Sequence, residues 1–130
     1  MEPRTAAILA AVGLLVIAAF QLALALGAPL GRAAWGGRHD RLPARLRRSS
    51  AVAVVIWLLA TSVILARAGY LTLPGPRELD NGGTWVVVVL LGVGALVNFA
   101  SSSRWERFGW GPLAAILGAL SLIVAVSPPV

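Results

Sequence analysis

Four apolar runs, Ala6–Leu30, Ala51–Ala66, Trp85–Ala100 and Phe108–Val126, alternate with short polar segments along the chain. With its flanks, each run supplies close to the ~20 helical residues needed to cross a hydrocarbon core. Backbone in such a medium must satisfy its own hydrogen bonds, which a helix does within one segment. The pattern predicts an all-α membrane protein: one four-helix transmembrane bundle over residues 1–130, with spans near 5–28, 45–68, 84–101 and 104–126. Val86–Val89 would suggest a strand in a water-soluble domain, but the length of the run and its setting favour helix.

Punctuation residues sharpen these limits. Ala28-Pro29 stops or kinks the first helix, and the segment Gly27–Ser49 is too long for a minimal helical hairpin, so it folds back on the bundle or the membrane surface. Pro43 suits the first turn of the second helix. Leu73–Gly83 reads as a turn, after which Thr84 or Asn81 caps the third helix. Ser103-Arg104-Trp105-Glu106 has the form of a capping box opening the fourth, Pro112 then falls inside that helix and bends it, and Ser127-Pro128-Pro129 ends it. Ala23-Leu24-Ala25 resembles a signal-peptidase site, but the apolar run is long for a signal segment and is read as a retained span.

Lipid tails give helices no hydrophobic drive to associate, so close packing of small residues takes over. The first span carries such a stripe in Ala7, Ala11, Leu14, Ala18, Gln21, Ala25 and Ala28; Gly92 and Gly94 offer close contact on the third span, and Gly111, Ala115 and Gly118 on the fourth.

Composition agrees: 58% of residues are hydrophobic and 12% charged, which excludes a disordered chain and leaves no second, soluble domain. All eleven basic residues are arginine, a usage that fits a GC-rich coding sequence also favouring Ala, Gly and Pro. A net charge of +6 would hint at nucleic acid in a soluble protein. Here eight of the eleven arginines fall in the two odd-numbered loops, and only Arg4, Arg67 and Arg77 fall on the other side. Positive-inside orientation explains that asymmetry and places both termini outside the cytoplasm; nucleic acid is rejected as a partner. Cysteine is absent, so there is no disulfide framework or thiolate site.

Candidate chemistry is sparse. Gln21 and Asn98 are the only amides well inside the spans; both belong to the half nearest the odd-numbered loops, where they either bond each other across helices or line a small polar site. Trp35, set among glycines, suits an interfacial anchor, with Arg32 and Arg38 reaching toward anionic head groups. His39-Asp40 is a candidate titrating pair, and Glu106 and Arg107 are candidate head-group ligands. No span holds a central ionisable residue of the kind that marks a proton relay, and no catalytic, metal or cofactor motif is found.

The stretches FQLALALGAPLGRAAWGGRHDRLPARLRRSSAV and NFASSSRWERFGWGPLAAILGALSLIVAV resemble a family of small, uncharacterised bacterial integral-membrane proteins with four predicted spans. The resemblance rests on Gly27-Ala28-Pro29, Gly31, Trp35-Gly36-Gly37 and Leu42-Pro43 with Arg47, then Asn98, Ser103, Glu106-Arg107 and Trp110 with Pro112. It implies a multi-pass protein of the bacterial cytoplasmic membrane and supplies no activity.

Two functions follow as expectations. The first is a non-enzymatic protein working through helix contacts with itself or a membrane partner subunit. The second is a binder, carrier or enzyme for a lipid or apolar small molecule, with Gln21, Arg32, Trp35, Asn98, Glu106 and Arg107 around a cavity on the cytoplasmic side.

Overall fold

The computed structural model describes residues 1–130 and contains helices only: α1 (Pro3–Ala25), α2 (Ala44–Arg67), α3 (Arg77–Phe99) and α4 (Gly111–Val126). A π-turn, Glu106–Trp110, leads directly into α4, and two short 3₁₀ turns, Gly31–Ala33 and Trp35–Gly37, occupy the first loop. Each helix, with the π-turn counted into the last, is long and apolar enough to cross a membrane, and together they form a four-helix bundle.

On α1 the buried face is mostly alanine and the outward face carries larger side chains. Ala6, Ala7, Ala10, Ala11 and Ala18 are buried on α1, whereas Ile8, Leu9, Val12, Leu15 and Val16 of the same helix face outward. That inversion of the soluble pattern suits a lipid solvent, in which outward leucine and valine lose nothing and inward alanine lets backbones approach. Helix α1 packs against both α2 and α4. Of the expected stripe, Ala7, Ala11, Leu14 and Ala18 are buried and Gln21, Ala25 and Ala28 half-buried, while Ala6 and Ala10 are buried as well. At the α1–α4 seam a side chain on Gly13 would overlap Leu117.

Several boundaries differ from the sequence reading. Helix α1 ends at Ala25, not near Pro29: Gly27 adopts φ +92°, Ala28 N–H donates to Ala23 O and Gly27 N–H to Leu24 O, both at 3.0 Å. This is the Schellman closure that a left-handed glycine permits. Gly69 (φ +77°) ends α2 in the same way.

Helix α3 starts at Arg77, well before Thr84, with Pro76 as its flanking residue and Glu78 and Asp80 in its first turn. Carboxylates beside the unpaired N–H groups of a helix start stabilise it, and the helix absorbs Arg77–Gly83 of the Leu73–Gly83 segment read as a turn. Neither Asn81 nor Thr84 caps it; the Thr84 hydroxyl donates to Asp80 O one turn back at 2.7 Å. Gly83 serves packing, since a Cβ there would stand 3.0 Å from Val63 Cγ1 of α2.

Gly92 and Gly94 do not make the close contact expected of them: a Cβ on either would meet nothing within 4 Å. On α4 Gly111 is buried, but Ala114 rather than Ala115 faces the bundle. Pro112 is the second residue of α4, one past Gly111 after the π-turn, and so lies in the first turn rather than inside the helix. The wider turn is a local departure of the kind that accommodates a proline's missing N–H and its crowding of the preceding turn.

Arg67, placed by the sequence among the arginines outside the membrane core, is buried. Arg67, the last residue of α2, donates from Nη2 to Ser127 O at 2.7 Å and to Ala125 O at 3.4 Å. The carbonyls ending α4 lack helical partners and carry the negative end of its dipole, so a guanidinium is the natural cap. Nearby, the Arg4 guanidinium lies 4.6 Å from the centre of the Tyr70 ring.

Candidate functional site

At the opposite end of the bundle the first loop folds over the helices, as its length suggested. Leu24 of α1, Ala34 and Leu42 form a small buried cluster, flanked by Phe20 and Leu46, that seats it. Gly31 N–H donates to Asp40 O at 2.9 Å, and the approach is so close that any side chain on Gly31 would collide with His39 O and Asp40 O. Arg32 pairs with Asp40 at 2.7 Å and donates to Gly37 O at 3.2 Å. Arg47 Nε donates to Ala25 O at 3.1 Å, capping α1.

Trp35 keeps an exposed surface but is also tied to the bundle. Its backbone is left-handed at φ +50°, rare for a bulky residue, and its indole N–H donates to the fully buried Ser50 hydroxyl of α2 at 3.0 Å.

The start of the fourth helix meets this loop. Half of the expected capping box is present, with Glu106 N–H donating to Ser103 Oγ at 3.4 Å. The reciprocal half is not: Ser103 N–H donates to Ser101 Oγ instead. Glu106 turns away, and its Oε1 accepts from Gly36 N–H at 2.7 Å and from Ser101 Oγ at 3.1 Å. The Ser103 hydroxyl donates to Arg32 O at 2.7 Å. A motif that looks local thus joins the first loop to the α3–α4 hairpin, because the folded loop presents Gly36 N–H closer to the carboxylate than its own helix start.

Beneath this junction lies an open-sided cavity of about 780 Å³. It occupies the gap where α2 and α3, in contact at Val63 and Gly83, separate toward the loop end. Of its 23 lining residues, 13 are hydrophobic, and these include Ile17 of α1, Trp57 of α2, Leu90 and Val97 of α3, and Trp110 ahead of α4. Phe20 and Trp110 pack on one wall with ring centres 4.5 Å apart and planes tilted by 40°. Polar groups gather at the loop end: Trp35, Arg38, His39, Arg45, Ser101, Ser102 and Glu106, with Gln21 and Asn98 deeper.

Of the six sequence candidates, Gln21, Trp35, Asn98 and Glu106 line this cavity; Arg32 and Arg107 do not. Arg32 is engaged by Asp40, which also removes Asp40 from any pairing with His39, and Arg107 donates to Phe99 O at 3.3 Å. Gln21 and Asn98 share the cavity without bonding each other. The Asn98 amide donates to Gly94 O of its own helix at 2.8 Å, and Gln21 Oε1 is buried with no partner.

Sequence reasoning missed Arg45 as a lining residue, set Arg38 toward anionic head groups outside the named cavity residues, and gave His39 a role as half of a titrating pair. The signal for Arg45 was available: its neighbour Leu46 and Trp57 lie about three helical turns apart on one face of α2, and both line the cavity.

An unpaired buried amide oxygen is destabilising by about 1–3 kcal/mol. A Gln21→Leu variant is therefore expected to be about 1 kcal/mol more stable than wild type in lipid-depleted micelles, as read by thermal unfolding. Lower stability would mean that the oxygen has a partner.

Comparison with protein-family models, with curated proteins and with solved structures finds no match to this chain.

Proposed function

We propose that the chain is a multi-pass protein of a bacterial cytoplasmic membrane that binds an amphiphile. Its apolar chain lies between α2 and α3, and its anionic group lies at the loop end against Arg38 and Arg45. The cavity carries this reading. Its volume is in the range of sites for small ligands, its walls are apolar, and its two arginines stand at one end only. Guanidinium groups suit phosphate oxygens through paired N–H donors. The skew of arginine toward the two loops at this end supports a cytoplasmic mouth.

Native mass spectrometry of the purified protein tests the reading. Wild type is expected to retain a phosphate-bearing lipid that a joint Arg38→Gln and Arg45→Gln variant loses, with thermal stability kept. Equal lipid content in both would remove the arginines from the site.

Orientation is tested separately. A cysteine at Asn81 should react with an impermeant maleimide in intact cells and one at Ser102 should not; the reverse pattern would invert the protein.

A second reading, contact with another copy or a partner subunit, is favoured by Gly92, which is exposed on α3 with room for close approach. It predicts a discrete oligomer in the same spectra.

A further inference from the structure

The arginine mouth accounts for only one sign of charge in this cavity. Glu106 is 8% exposed, yet no cation lies within ion-pairing distance of it: the one ion pair in the protein is Arg32–Asp40. Both hydrogen bonds to its side chain end on Oε1, from Gly36 N–H and Ser101 Oγ. Oε2 accepts none, on a residue that lines the cavity. A largely buried carboxylate without a cation is costly unless something supplies one.

The second observation is independent of the first and comes from another helix. Gln21 of α1 lines the same cavity, with its Oε1 shielded and without a donor. Asn98, the remaining amide, spends its own N–H on Gly94 O and leaves its carbonyl oxygen without a protein donor. Glu106 Oε2 and the Asn98 carbonyl oxygen thus remain acceptors without a protein donor, on residues that line the cavity. Arg38 and Arg45 offer the reverse, donors without an anion.

We infer that the ligand carries both signs, a phosphate for the arginines and a primary ammonium whose N–H groups are taken by Glu106 Oε2, with the Asn98 carbonyl oxygen as a further acceptor for donors of the head. This deepens the amphiphile reading and rests on it, because the same cavity has to hold the attached chain. The chemistry is that of an ethanolamine phosphate, either as the head of a bilayer lipid or as a soluble phosphomonoester. A primary ammonium is specified over a quaternary one because the acceptors need N–H donors, which a trimethylammonium lacks.

The test uses the full chain in nanodiscs containing equal amounts of phosphatidylethanolamine, phosphatidylglycerol and phosphatidylcholine with identical acyl chains, released for native mass spectrometry. Wild type is expected to retain phosphatidylethanolamine about tenfold over each of the others, the scale of one charge-assisted hydrogen bond. Glu106→Gln keeps an oxygen for Gly36 N–H and Ser101, so its melting temperature should stay near wild type while the preference falls to about unity and total bound lipid is retained. Equal retention of the three lipids by wild type, or an undiminished preference in Glu106→Gln, would overturn the ammonium site while leaving an amphiphile bound. Absence of any retained lipid from wild type would overturn the amphiphile reading itself. Added O-phosphoethanolamine separates the sources. Displacement of lipid by the free compound supports a soluble ligand on the same contacts, and retention of lipid supports the bilayer head group.

Discussion

A Gly31→Ala variant is expected to be destabilised by about 2–4 kcal/mol, the largest effect of any single-methyl change in the loop. The added Cβ meets the carbonyl oxygens of His39 and Asp40, the latter at 2.9 Å. Both are backbone atoms held by the turn, so no side-chain rotamer relieves the clash. The shift also breaks the Gly31 N–H to Asp40 O bond. Because Trp35, Arg38 and His39 follow within this loop and line the cavity, bound lipid should fall together with the melting temperature. Gly36→Ala is the contrasting case: its Cβ would meet nothing within 4 Å, leaving only the strain of φ +86°, about 1 kcal/mol. Near-equal melting temperatures for the two variants would show that the loop does not hold the seat described.

The second large effect belongs to Glu106→Ala, expected to be destabilising by about 2–3 kcal/mol. It removes the acceptor of Gly36 N–H and of Ser101 Oγ and so unties the first loop from the α3–α4 hairpin. Glu106→Gln should lose less than 1 kcal/mol, since an amide oxygen replaces the carboxylate oxygen at both donors. Thermal unfolding of the pair measures the tie; if Ala and Gln behave alike, the bonds to Oε1 contribute little to holding the loop.

Much of the architecture is legible in the chain because lipid makes hydropathy decisive: four apolar runs become four helices, and the alanine stripe of α1 becomes its packed face. What the sequence hides is set by local chemistry competing with general rules. Gly27 rather than Pro29 ends α1, since a left-handed glycine closes the last carbonyls before the proline is reached. Glu78 and Asp80 draw α3 out to Arg77 through a segment whose Asp, Asn and Gly content reads as a turn. Ser103 and Glu106 have capping-box spacing, but spacing cannot reveal that a loop some seventy residues upstream supplies a competing donor at Gly36. The same holds for the site. Gln21 and Asn98 are identified by being polar in apolar runs, Trp35 by its place among glycines and Glu106 by its place at a helix start, whereas Arg32 is lost to Asp40, a partner eight residues along in a folded turn. Arg67 escapes notice because its acceptors are the ending carbonyls of a different helix.

The claim that the space between α2 and α3 holds an amphiphile is tested most directly by filling it. Gly94 lines the cavity and Gly92 does not, while a Cβ on either meets nothing within 4 Å. Replacing glycine within a helix by leucine favours the helix by several tenths of a kcal/mol in each case. Native mass spectrometry of Gly94→Leu and Gly92→Leu, purified side by side, is expected to show Gly94→Leu stable and stripped of the lipid that wild type and Gly92→Leu retain. Full lipid retention by a folded Gly94→Leu would contradict the account.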